Sequence, residues 1–206
     1  MLNEYNGYFL GILFALIAIP KYYKRTKALP FPVSRCFSLL MLIYFSTMYI
    51  TFIIFPLPVQ PSVIRSGIHE KENFILPFSQ LERLYQNSVL TGEMSLETFV
   101  KEYLVAVWLF CIKIIPIGLF TKLLYRYNLK QFIVFSLRAI LIFELLKVFC
   151  NLITTVNYIP LVSEHMLYSF ASLLFGFSIY YQIFWISKFL RNKSEIMRVI
   201  YQLLEQ

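Results

Sequence analysis

The chain contains no aspartate: all 11 of its acidic residues are glutamates. That excludes the Asp-rich metal motifs with which many prenyl- and phosphate-transferring membrane enzymes hold divalent cations. Histidine is nearly missing as well, with only His69 and His165, and these are not at metal-ligand spacing. The three cysteines, Cys36, Cys111 and Cys150, are odd in number and far apart. They build neither a zinc motif nor a disulfide framework and read as small buried hydrophobes. No metal and no cofactor is expected. P-loop, GxSxG, HExxH and paired CxxC motifs are all missing. With six glycines and no Ser/Gly-rich stretch, nothing divides the 206 residues into separate domains. An enzymatic reading has only Glu144, Glu164, His165 and lysines to draw on, with Glu144 as the candidate catalytic general base.

What is abundant is apolar surface. Hydrophobic residues make up 59% of the chain and the mean hydropathy is +0.66, far from an ordinary soluble domain. Crossing the hydrocarbon core takes about 17–25 apolar residues as helix. Runs of roughly that length recur at about 5–20, 37–56, 103–121, 132–150 and 167–186. The expectation is an all-α, polytopic membrane bundle of about five transmembrane helices, forming one integral membrane domain.

The net charge of +8 would also suit a nucleic-acid binder, but its distribution argues against one. Lys21, Lys24, Arg25, Lys27 and Arg35 lie between spans one and two. Lys122, Arg126 and Lys130 lie between three and four, and Lys188, Arg191, Lys193 and Arg198 follow span five. In an alternating five-span chain these twelve fall on one side, against Arg65, Lys71, Arg83 and Lys101 on the other. The positive-inside rule then predicts the N-terminus outside and the C-terminus in the cytoplasm. Anionic lipid accounts for the basic balance, and no nucleic acid partner is expected. The first run is preceded by Glu4 and followed by Lys21, the reverse of a secretory signal, so it is read as an anchor.

Span one carries Gly7, Gly11 and Ala15 at four-residue spacing, a face for close approach of another helix within the chain or of a partner. Pro30 and Pro32 predict an extended link, and Phe55-Pro56-Leu57-Pro58 ends span two. The outer loop, 57–102, is long enough to need structure of its own. Ser79-Gln80-Leu81-Glu82 fits a capping box, with Leu81, Leu84 and Tyr85 on one apolar face. Asn73-Phe74-Ile75-Leu76-Pro77-Phe78 suits a re-entrant segment, and a second helix starts near Ser95 and runs into span three.

The informative residues are charged groups inside the spans. A charge at mid-bilayer costs roughly 2.5–3.5 kcal/mol on insertion scales, so such residues face the protein interior and suggest a site. Span three holds Lys113 beside Pro116 and Gly118. Span four holds Arg138, Glu144 and Lys147, with Asn151 and Thr154 continuing one helical face. At 1.5 Å per residue Lys113 lies about 15 Å below the outer end of span three, and Glu144 and Lys147 lie in the outer half of span four. Glu164 and His165 sit where span five enters, followed by the small-residue face Ser169, Ser172 and Gly176. Lys113, Glu144, Lys147, Glu164 and His165 are thus the ligand-binding candidates, opening on the outer leaflet. Glu144 and Lys147 would also serve simply by neutralising each other to hold the bundle.

The order of motifs resembles the VanZ-like family of bacterial membrane proteins. It rests on Asn73–Phe78, Ile115-Pro116-Ile117-Gly118, Phe143-Glu144-Leu145-Leu146 and Glu164-His165…Ser169…Gly176, and covers about Arg35 to Tyr181. The chain departs from the family pattern near Phe110, where the family has Asn, at Lys147, where it has Gln, and at His165, where it has Asp. The resemblance implies a bacterial cell-membrane location and a part in resistance to glycopeptide antibiotics, chiefly teicoplanin. The expected ligand is a membrane lipid, a lipid-linked envelope precursor or a lipidated glycopeptide.

Overall fold

The computed structural model describes residues 4–27, 29, 32–54, 74–154 and 159–205. Among them the regular structure is helical: α1 (Glu4–Thr26), α2 (Pro32–Ile54), α3 (Ser79–Tyr85), α4 (Leu96–Tyr125), α5 (Leu129–Thr154), α6 (Ser163–Leu190) and α7 (Glu195–Glu205). Three stretches, Pro32–Thr51, Leu96–Tyr125 and Ser163–Leu190, are long and apolar enough to cross a membrane. Large apolar side chains such as Trp108, Leu141, Phe149, Phe175 and Trp185 project outward from α4, α5 and α6. In water that surface would be a liability; against acyl chains it costs nothing.

The helices run past the apolar segments that mark them in the sequence. Hydropathy stops at the first charge, whereas the hydrogen-bond ladder does not. Thus α1 continues through Pro20 to Thr26, carrying Lys24 and Arg25 in its last turn, where cations complement the helix dipole. The expected extended link before span two is shorter than its prolines suggested. Pro32 is instead the first residue of α2, a position whose N–H has no helical partner anyway. The predicted stop at Phe55–Pro58, Asn73 and the first half of the outer loop lie outside the described residues.

The centre of the bundle is the crossing of α4 and α6. A Cβ added at Gly118 would run into the Leu173 carbonyl oxygen, and one at Gly176 into that of Ile115. Backbone meets backbone here, which only glycine permits. Around the crossing, Phe110, Ile114 and Ile117 of α4 pack with Leu173 and Phe177 of α6, Phe132 and Ile140 of α5, and Tyr49 of α2. α1 lies against α2, where Gly11 admits the Thr47 side chain, so this part of the small-residue face is occupied within the chain. The surroundings of Gly7 lie outside the described residues.

The described part of the outer loop is folded. Phe74 pairs with the chain leading into α6: its N–H donates to Leu161 O at 2.9 Å, and Ser163 N–H donates to Phe74 O at 3.0 Å. α3 continues as a π-helical turn, Gln86–Leu90, and a turn at Gly92, with φ +79°, leads to Ser95. α4 starts near Ser95 as expected, and Ser95 caps it, its side chain accepting from Thr98 N–H at 3.3 Å. Leu81 and Tyr85 are half-buried toward α4, Tyr85 against Phe99 at 6.0 Å, while Glu82 and Arg83 are exposed. Leu84, expected on the shielded face, is exposed.

The capping box at Ser79 does not form. Phe78 takes the cap position in the left-handed region, φ 63°, and the Ser79 hydroxyl donates instead to Leu76 O at 2.7 Å. The carboxylate that receives an α3 N–H comes from far along the chain. Gln80 N–H donates to Glu164 Oε1 at 3.2 Å.

Candidate functional site

Because α4 and α6 touch at their backbones, the N-terminal end of α6 is brought against α4, with α5 beside them. Glu144 and Lys147, one turn apart on α5, form an ion pair with Nζ to Oε1 at 2.6 Å. Lys147 is 2% exposed and Glu144 17%. Removing both charges from water costs several kcal/mol per ion, so the pair persists only because each partner compensates the other at hydrogen-bond distance. The rest of the predicted polar face also turns inward. Asn151 donates to Ile159 O and accepts from Ile159 N–H, both at 2.8 Å, and so ties the chain after α5 back to the helix. Thr154 is buried and bonds Cys150 O at 3.0 Å.

His165, in the first turn of α6, stacks on Phe110 of α4 with ring centres 5.0 Å apart. Both Lys147 and Glu164 lie within electrostatic reach of its ring. Glu164 itself is 1% exposed. Besides capping α3, it accepts from the Ser163 hydroxyl at 3.2 Å. Its carboxylate therefore anchors the outer loop to the bundle, whatever else it does. Lys113 is half-buried on α4, one turn beyond Phe110.

Two features of this region had little signal in the sequence. Span two reads as uniformly apolar, yet its Tyr49 is buried with its hydroxyl 2.8 Å from Ser169 Oγ. Its ring packs edge-on to Phe143 at 5.0 Å and Phe110 at 6.0 Å. The Ser46, Thr47 and Thr51 hydroxyls around Tyr49 were the available hint. The second is a cavity of about 300 Å³ lined mainly by apolar groups of α2, α4, α5 and α6, among them Leu42, Tyr49, Ile117, Phe143 and Ser169. It extends from Tyr49 and Ser169 down to Tyr125 and Tyr127 at the basic end. The cavity thus lies among α2, α4, α5 and α6, and none of Lys113, Glu144, Lys147, Glu164 and His165 lines it.

Lys122, read in the sequence as a loop cation, is buried in α4. Its ammonium donates to Tyr127 O at 2.7 Å and lies 5.0–5.4 Å from the ring centres of Phe177, Tyr180 and Tyr181. It fastens α4 to α6 and to the turn before α5 by hydrogen bonding and cation–π attraction.

Comparison with protein-family models, with curated proteins and with solved structures finds no match to this chain. Among the described residues no group of three or more His, Cys, Asp or Glu side chains is placed to hold a metal ion.

Proposed function

We propose that the chain is a five-span protein of a bacterial cell membrane, N-terminus outside and C-terminus cytoplasmic, that binds an amphiphile at the outer polar cluster. The ligand class is a membrane lipid, a lipid-linked envelope precursor or a glycopeptide antibiotic with a lipid tail. In the VanZ-like reading this binding contributes to teicoplanin resistance. The observation that carries the proposal is the buried Lys147–Glu144 pair, 2.6 Å apart, beside His165 on Phe110. An ion pair kept only for stability is commonly replaceable by apolar residues at no loss, so its retention at depth favours use on a charged headgroup. The cavity below Tyr49 has the apolar lining to take part of a tail.

The placement of the motif residues supports the family reading. Gly118 meets Leu173, Gly176 meets Ile115, and Phe74 pairs with Leu161 and Ser163, so segments distant in sequence adjoin one another. Two of the departures lie close together, since His165 stacks on Phe110, near which the family has its Asn. Glu144 is committed to an ammonium at 2.6 Å, which favours binding over general-base chemistry.

Two probes test the proposal: a photoactivatable polyprenyl phosphate and teicoplanin, each offered to the full chain in nanodiscs. The wild type should capture one of them. Glu144→Gln with Lys147→Met should fold and lose that capture, while full capture by a Lys113→Met, Glu144→Gln, Lys147→Met variant would refute the site.

A further inference from the structure

At the basic end of the bundle, remote from the site above, a recess of about 200 Å³ lies between the start of α2, the end of α4 and α7. Two arginines line it, Arg35 from the first turn of α2 and Arg126 from the cap of α4, and no acidic side chain does. The nearby glutamates of α7 are engaged elsewhere: Glu205 accepts from the Tyr201 hydroxyl at 2.7 Å and Glu195 pairs with Arg198 at 3.1 Å. The remaining wall is Ser34 and Ser38 of α2 with an apolar side made by Phe37, Phe120, Ile200 and Leu203 among others.

Neither arginine sits where the backbone would choose one. Arg126 is in the left-handed region, φ 52° and ψ 31°, at a helix end where glycine or asparagine is favoured. Arg35 puts a cation in the first turn of α2, which has no acidic residue, so the positive end of the helix dipole opposes it. That turn also has N–H groups without intrahelical partners. An anion in the recess would offset all three conditions at once. Lys24, Lys130 and Arg126 are all exposed, as a general excess of basic residues on one face would have them, but Arg126 alone of these shares a recess with the half-buried Arg35. Arginine is also the side chain suited to phosphate, since its planar fork holds two oxygens. The apolar wall and the position of α7 point to the origin of that phosphate. α7 folds back under α6, with Tyr180 Oη donating to Leu204 O at 2.6 Å and Phe184 5.4 Å from Tyr201, while Ile196 and Val199 remain exposed as in a helix lying at a lipid surface.

We propose that this recess binds the phosphate ester of an anionic lipid headgroup, with Arg35 and Arg126 on the phosphate oxygens and Phe37, Phe120 and Ile200 against the glycerol and first methylenes.

The test is titration of the full chain, in neutral detergent, with dihexanoyl phosphatidylglycerol, with dihexanoyl phosphatidylcholine and with inorganic phosphate. The phosphatidylglycerol should bind at one per chain and the phosphatidylcholine should not compete. Arg126→Gly and Arg35→Gln should each weaken binding about tenfold, the loss of one charged hydrogen-bonding group. Arg126→Gly should leave Tm unchanged or raise it, because glycine is unstrained at that φ, so its loss of binding is not a loss of fold. Lys130→Gln, exposed and outside the recess, should bind as wild type. Wild-type affinity in both arginine variants overturns the proposal, as does an equal loss in Lys130→Gln, which would indicate diffuse surface charge. Displacement of the lipid by inorganic phosphate at similar concentration overturns the lipid assignment in favour of a free phosphate site.

Discussion

Breaking the Lys147–Glu144 pair from either side should not cost the same. Removing one partner of a buried pair leaves a charge without compensation and typically costs about 3–5 kcal/mol. Where in that range each variant falls depends on what the remaining charge can reach. After Lys147→Met the remaining carboxylate belongs to a residue 17% exposed, so water or a headgroup can partly solvate it, and the cost should be about 3 kcal/mol. After Glu144→Gln the remaining ammonium belongs to a residue 2% exposed, with no route to water, and the cost should be about 5 kcal/mol. The double variant removes both charges and should lie within about 1 kcal/mol of wild type. The sum of the single losses then exceeds the double loss by several kcal/mol, far beyond the few tenths expected of independent sites. Reversible unfolding in mixed detergent micelles, followed by far-UV circular dichroism, measures all four states. Additive losses would refute the claim that the pair is buried and mutually compensating, and a larger loss for Lys147→Met would refute the account of exposure.

The α4–α6 crossing predicts that Gly118→Ala and Gly176→Ala each lose about 1–3 kcal/mol, because the new methyl meets a backbone carbonyl that cannot turn aside. Gly11→Ala should also be destabilising by the same unfolding assay, since the added Cβ would lie 2.9 Å from the Cβ of the β-branched Thr47, which side-chain rotation leaves in place. Glu164→Leu removes the acceptor for Gln80 N–H and should cost about 1–3 kcal/mol. Hydrogen exchange should then quicken across Ser79–Tyr85 while α4 beyond its first turns stays protected; unchanged exchange would remove Glu164 as the anchor. For topology, in a background without native cysteines, single cysteines at positions 24, 126 and 193 should resist an impermeant thiol reagent in intact cells, and one at position 93 should label. Labelling at position 126 with protection at position 93 would reverse the orientation.

The sequence by itself determined that the chain is helical and built for a membrane, because apolar runs of spanning length and the lack of polar alternation leave few other ways to satisfy the backbone. It also determined local features carried by neighbours in the chain: the start of α4 at Ser95, the i, i+3 pairing of Glu144 with Lys147, and the inward polar face through Asn151 and Thr154. The close-packing role of Gly176 was likewise legible, since in lipid small residues mark where backbones can meet. What depends on long-range contact was not. The capping box at Ser79 is a sound local signal, yet Phe78 occupies the cap and Glu164, 84 residues from Gln80, takes the N–H. Lys122 reads as a loop charge until α6 surrounds it with Phe177, Tyr180 and Tyr181. Tyr49 is one apolar residue among many until Ser169 meets its hydroxyl. Composition and periodicity give each helix its inward face. Which polar groups on those faces become partners is decided only when α4 and α6 close at Gly118 and Gly176 and fix the register of every side chain above and below.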